Sequence, residues 1–238
     1  MGKKVAAIQS CYIPWKGYFD IIHDVDIFIF YDDLQYTNRG WRNRNKIKTP
    51  SGGHWLTIPV GGHQDQLICE VEIKSDAWAK EHWRTLAAYY SKAPFFEKYK
   101  SFLEQVYRSG KWRYLSELNQ YLTTEICRNI LGIKTVFAQS QEFSAKGKKT
   151  ERLIDLLKKC GADTYLSGPA ARDYIDESLF QEAGITLEYK DYSGYPEYPQ
   201  FHPPFEHQVS ILDTLFQVGD EAPHYIWGWR SGVGVGSG

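Results

Sequence analysis

Four short stretches hold the residues whose types and spacing could do chemistry. The first is Gln9-Ser10-Cys11-Tyr12-Ile13-Pro14-Trp15-Lys16-Gly17-Tyr18. Polar Gln9 and Ser10, a turn-setting Pro14, a permissive Gly17 and amphipathic rings at Tyr12, Trp15 and Tyr18 suit a ligand-binding loop. The plainer alternative is a Pro-Trp corner packed at a sheet edge. The second stretch is Tyr31-Asp32-Asp33. Two adjacent carboxylates at a strand's carboxyl end could hold a metal, orient a sugar hydroxyl or act as a general base. Side chains alternate along a strand, so Asp32 and Asp33 face opposite ways; a turn or helix cap is the competing role.

The third stretch runs from Thr37 to Lys48 and contains no acid. If extended, it places Arg42, Arg44, Lys46 and Lys48 on one face. Arginine forks bind phosphate or carboxylate through two parallel hydrogen bonds, which makes Arg39, Arg42 and Arg44, with Asn43, candidates for anion binding. Trp41 could stack on a base or sugar. A solvated, charged edge strand would look similar. The fourth stretch is Leu166-Ser167-Gly168-Pro169-Ala170-Ala171-Arg172-Asp173-Tyr174. Ser167 and Gly168 offer backbone N–H groups to an anion, and Arg172 stands nearby; an ordinary strand-to-helix turn is the alternative.

The elements that must position these stretches follow from periodicity. Val5–Ile8 and Asp26–Tyr31 read as buried strands with a short helix, Tyr18–His23, between them, the start of a βαβ unit. Residues 54–60 predict a further strand. Residues 76–131 carry three helical patterns: Trp78, His82, Leu86 and Tyr90; Phe95, Tyr99, Phe102 and Val106; and Leu115, Leu118, Leu122, Ile126 and Ile130. Strand and helix then alternate through 135–138, 151–160, 164–166, 176–184 and 185–189. A Pro/Tyr/His-rich loop covers 192–208, and a last helix starts at Ser210. The expected fold is α/β, a mainly parallel Rossmann-like sheet with an all-helical insertion. The expected division is an N-terminal α/β part (1–75), the helical insertion (76–132), a C-terminal α/β part completing the same sheet (133–230) and a flexible tail (231–238).

Composition narrows the classes. The chain has 238 residues and a net charge of −1, so no global field points to nucleic acid or anionic membrane. Hydrophobic residues make up 42%, enough for a large core. The 17 Tyr and 8 Trp suit either a ring-rich core or a cleft lined by amphipathic rings. Cys11, Cys69, Cys127 and Cys160 show no C-x-x-C spacing and read as reduced thiols of a cytoplasmic protein. Scattered histidines, with His202 and His207 in the Pro-rich loop, predict no metal site. No apolar run is long enough to span a bilayer.

The loop 9–18 resembles the F-x-P-x-H-x-G-H loop of nucleotidyl-transferring enzymes and pantothenate synthetases, with Trp15 and Tyr18 where those families place histidines. More of the chain resembles the WbqC-like family, through Ile8–Asp20, the run Asp32-Asp33-Leu34-Gln35-Tyr36, Trp41-Arg42-Asn43-Arg44 and Tyr165-Leu166-Ser167-Gly168-Pro169. Cys11 departs from it, standing where the family has Asn. The resemblance implies an enzyme of O-antigen and surface-polysaccharide biosynthesis. It would transfer an acyl or aminoacyl group, such as glycyl, to the amine of a nucleotide-linked amino sugar. The resemblance adds Tyr36 to the substrate-binding set, and Asp32 or Asp33 would deprotonate the sugar ammonium. The donor would be an acyl group activated by ATP, a thioester or an aminoacyl-tRNA, the one nucleic acid implied. A non-catalytic nucleotide-sugar-binding scaffold is the rival, and a hydrolase using Cys11 a weaker third.

Overall fold

A computed structural model describes residues 2–38, 40–61 and 65–232. The chain begins with β1 (Lys4–Ile8), α1 (Lys16–His23) and β2 (Ile27–Phe30), followed by an antiparallel hairpin of β3 (Arg44–Thr49) and β4 (Gly52–Thr57). Three helices follow: α2 (Ala77–Tyr90), α3 (Phe96–Glu104) and α4 (Leu115–Glu125), the last two each running into a wider π turn. The chain continues through β5 (Val136–Gln139), α5 (Lys149–Cys160), β6 (Thr164–Ser167), α6 (Glu177–Ala183) and β7 (Thr186–Tyr189). After a long irregular stretch it ends in α7 (Ile211–Val218) and α8 (Ala222–Ile226).

Five strands form one parallel sheet in the order β5-β2-β1-β6-β7. Counted along the chain, that is the doubly wound order 3-2-1-4-5, so the fold is α/β and Rossmann-like. Strand alternation sorts the core. Val5, Ala7, Ile29, Tyr31 and Tyr165 face α5 and α6, packing on Leu153, Leu156, Leu157 and Phe180. Ala6, Phe28, Phe30 and Leu166 face the other way, into a cluster with Phe19 and Ile22 of α1 and with α7 and α8. The same cluster runs on without a break into Leu86, Tyr90, Leu103, Leu118 and Leu122 of the three-helix block. Gly161, in the left-handed conformation at φ 71°, stops α5 and turns the chain into β6.

Three expectations shift. The strand expected at 54–60 starts at Gly52 and ends at Thr57, because it pairs with Arg44–Thr49 across a two-residue turn. Helix α1 starts at Lys16 rather than Tyr18, and the Lys16 side chain is buried beneath the rings of Tyr195, Tyr198 and Phe205. In the expected tail, the backbone of Ser231 and Gly232 belongs to a closing 3-10 turn, Gly228–Gly232, and 233–238 lie outside the described residues. Among the described residues, no helix is long and apolar enough to cross a membrane.

Candidate functional site

In a doubly wound sheet the crossovers leave in opposite directions from neighbouring strands at one point, and a crevice opens there beyond the strands' carboxyl ends. Here that point lies between β1 and β6. A cavity of about 910 Å³ occupies it, lined by Gln9 after β1, by Ser167 and Gly168 at the end of β6, and by Trp15, Tyr18, Trp41 and Arg42. The opening of α5 supplies Lys149, Thr150 and Arg152, and the far wall carries Tyr174 and Tyr192. Three cations, Arg42, Lys149 and Arg152, line it, and no carboxylate does among the described residues. Seven Trp and Tyr rings complete the wall. The N-cap residue of α5, Lys148, provides no side-chain acceptor, so the first N–H groups of this helix have no side-chain cap.

The 9–18 loop is held in a strained shape. Ile13 lies at φ 35°, in the left-handed region that a β-branched residue rarely adopts. Asn45 of β3 fixes it by donating to the carbonyls of Tyr12 (3.1 Å) and Ile13 (2.9 Å). Gly17 serves by what it lacks: a Cβ there would come within 2.2 Å of the Trp15 ring. Trp15 therefore lies close over the start of α1, and its edge meets Tyr192 at 5.0 Å between centroids. Arg42 reaches back onto the loop, where one guanidinium nitrogen donates to the Gln9 side chain and another to Cys11 Sγ at 2.9 Å. Its Nε is buried and has no partner among the described residues. Burial pushes the Cys11 thiol up in pKa, only partly offset by Arg42, so it stays protonated.

Asp32 and Asp33, both past the end of β2, bond to separate partners, and neither lines the cavity. Asp32 is fully buried. One of its oxygens accepts from the Ser10 amide (2.7 Å) and the other from the Gln120 side chain (2.8 Å), tying the 9–18 loop to α4. Burial raises its pKa, opposed by these hydrogen bonds and by Arg42. Asp33 accepts from Ser140 Oγ and from Arg152 Nη2, both at 2.5 Å, and so aims the Arg152 guanidinium.

The structure gathers Gln9, Trp15, Tyr18, Trp41, Arg42, Ser167 and Gly168 around one cavity, and sets the other sequence candidates behind or beside it. Ser10 is buried against Asp32. Tyr12 shares its hydroxyl with His82 and Tyr107 in the core. Tyr36 is buried. Asn43 donates to the Ile58 carbonyl at 3.0 Å. Arg172 is exposed over the Tyr189 ring, and Arg39 lies outside the described residues. The expected row of four cations divides, because β3 begins only at Arg44. Arg42 turns into the cavity, Arg44 stacks on Trp55, Lys46 pairs with Glu206, and Lys48 is buried against the Pro204 carbonyl. Lys149, Arg152, Tyr174 and Tyr192 are absent from the sequence-based set. The position of 149–152 after a parallel strand, at a helix start, is the signal that could have found the first two.

The tightest group of metal-capable side chains among the described residues, Asp20, His23 and Asp24, lies elsewhere. Its carboxylates are already engaged by Lys190 and Arg230.

Comparison with known proteins agrees with the sequence resemblance. The chain is 49% identical over 226 residues to "Uncharacterized protein Rv1507c" of Mycobacterium tuberculosis (strain ATCC 25618 / H37Rv), covering 94% of this chain and 97% of that one. No solved structure matches it. The pattern of one family matches residues 9–225, and the chain belongs to that family, the WbqC-like protein family.

Proposed function

We propose that the cavity binds a nucleotide-linked amino sugar. In this reading the protein, acting in the cytoplasm during surface-polysaccharide assembly, transfers an acyl or aminoacyl group to that sugar's amine. The observation that carries the binding step is the cation set Arg42, Lys149 and Arg152, with no lining carboxylate among the described residues, at the sheet's switch point. Guanidinium forks and a helix start suit a diphosphate, and the surrounding rings suit a base or sugar face. A volume of about 910 Å³ lies in the upper range of small-molecule sites, roughly 300–1,000 Å³. The transfer is an amide formation. The sugar nitrogen bonds to the acyl carbon, the bond from that carbon to its leaving group breaks, and the leaving group takes the electron pair and a proton. Asp33 acts as a positioning residue through Arg152, and Asp32 as one through the loop.

The test is calorimetric titration with UDP-, dTDP- and GDP-linked amino sugars, with ATP alongside. One sugar nucleotide should bind, and Arg42→Ala and Arg152→Ala should each weaken it about tenfold, equivalent to about 1.4 kcal/mol. If no sugar nucleotide binds, the assignment falls. A second reading, a pathway protein that binds the nucleotide sugar without turning it over, is favoured by the engaged oxygens of Asp32 and Asp33. Mass spectrometry for an amide product, with ATP plus free acid, a thioester or an aminoacyl-tRNA as donor, separates the two: a binder forms no product with any donor.

A further inference from the structure

Beside the main cavity lies a smaller one of about 480 Å³. The two share Trp15, Tyr18, Trp41 and Ala170 as a common wall. The remaining lining of the smaller one is Cys11, Pro14, Asn45 and Gln208. No charged side chain lines it among the described residues, in contrast to the three cations next door. Arg42 marks the border: its fork touches Gln9 of the larger cavity and Cys11 of the smaller.

Three polar side chains of this chamber, Tyr18, Asn45 and Cys11, are already engaged. The Tyr18 hydroxyl donates to the Gln9 carbonyl at 3.1 Å. The Asn45 amide holds two carbonyls of the 9–18 loop, and its oxygen accepts from the Lys46 amide at 2.7 Å. The Cys11 thiol leans on the Gln9 carbonyl at 3.6 Å while accepting from Arg42. Gln208, exposed at the rim, is the remaining polar lining residue apart from the indole N–H groups. A hydroxyl-rich ring placed here would meet only Gln208 and the indole N–H groups as free side-chain partners, and an ammonium would find no lining carboxylate, with Arg42 close by. A hydrocarbon or aryl group meets neither difficulty.

We infer that the smaller cavity is the subsite for the uncharged, apolar acyl portion of the second substrate, and that it selects a plain acyl group over an aminoacyl one. This rests on reading the larger cavity as the nucleotide-sugar site. Two substrates that exchange a group must meet, and a shared wall beside Arg42 is where these two would.

The probes are isobutyramide and alaninamide, which have the same shape but differ by a methyl against an ammonium. Ligand-observed NMR on the full chain should show isobutyramide binding, with alaninamide at least tenfold weaker. Gln208→Trp, a substitution at the exposed rim that lines only the smaller cavity, should weaken isobutyramide at least tenfold. It should leave calorimetric binding of UDP, dTDP and GDP within twofold. Equal binding of the two amides, no detectable isobutyramide binding, or indifference of isobutyramide to Gln208→Trp overturns the inference. If isobutyramide binds and Gln208→Trp blocks it while no nucleotide sugar binds the wild type, the apolar subsite stands and the reading of the larger cavity falls.

Discussion

At the scale of single residues, Asp32 shows how a carboxylate placed where chemistry is expected can serve by holding its neighbours. Its two oxygens close a bridge between the Ser10 amide and the Gln120 side chain. Asp32→Ala removes the acceptor and leaves a buried N–H without a partner, a loss of about 1–3 kcal/mol. Asp32→Asn keeps an oxygen for Ser10, and the Gln120 amide can turn to present its own oxygen, so the loss should be clearly smaller. Urea unfolding of the two variants checks the order. A general base would show the opposite pattern, with Asn abolishing turnover at nearly unchanged stability. Strand alternation set one of the two aspartates toward the site, but both lie past the end of β2 at Phe30 and neither lines the cavity. Their partners were not legible in the sequence, because Gln120 and Arg152 are 88 and 119 residues away along the chain. Arg42 could be singled out by residue type, and it does line the cavity. Its separation from Arg44 was not legible, because it depends on β3 beginning one residue later than Asn43.

Among the elements, the strained 9–18 loop is held from three sides: by Asp32 two residues past β2, by Asn45 of β3, and by α2 through His82. The helical spacing of Trp78, His82, Leu86 and Tyr90 correctly put His82 on the inward face of α2. Its partners came only with the structure. The His82 ring shares a hydrogen bond with the Tyr12 hydroxyl at 2.8 Å and also hydrogen-bonds the Thr57 backbone, while Tyr12 meets Tyr107 at 2.7 Å. Burial lowers the His82 pKa from 6.5 to about 4. The folded state thus resists a proton that the unfolded chain accepts. The contribution to stability is full above the unfolded value, near 6.5, and is lost progressively as pH falls toward the folded value. Between pH 7.5 and pH 5 the loss from this group should be about 2 kcal/mol, at about 1.4 kcal/mol per pH unit. Urea midpoints at the two pH values should diverge in the wild type and converge in His82→Gln. An unchanged gap in the variant would assign the acid sensitivity to other groups.

Over the whole molecule, residues 190–230 act as a strap that contributes Tyr192 to the cavity's far wall. Lys190, just after β7, and Arg230, near the end of the described chain, both converge on Asp20 and Asp24 of the α1 region. Asp20 takes Lys190 at 2.9 Å, Arg230 at 2.7 Å and the Tyr195 hydroxyl at 2.5 Å. Asp20 is 1% exposed and Lys190 5%, so these charges are compensated inside the protein rather than by water. None of this was legible beforehand: 192–208 reads as a Pro-rich loop, and the pairing spans 170 residues from Asp20 to Lys190 and 210 to Arg230. Between the anchors sits Tyr192, which lines the cavity and supports Trp15. Removing one member of a buried ion pair strands the other and costs about 3–5 kcal/mol. Asp20→Asn should therefore lose stability on that order, tempered because Asp24 still faces both cations. Its effect should also reach the ligand, because Tyr192 and Trp15 lose the frame that holds them. Weaker calorimetric binding of the proposed nucleotide-sugar ligand, measured well below the unfolding transition, would show that the strap shapes the wall. Full affinity in a destabilised variant would confine its role to holding the fold.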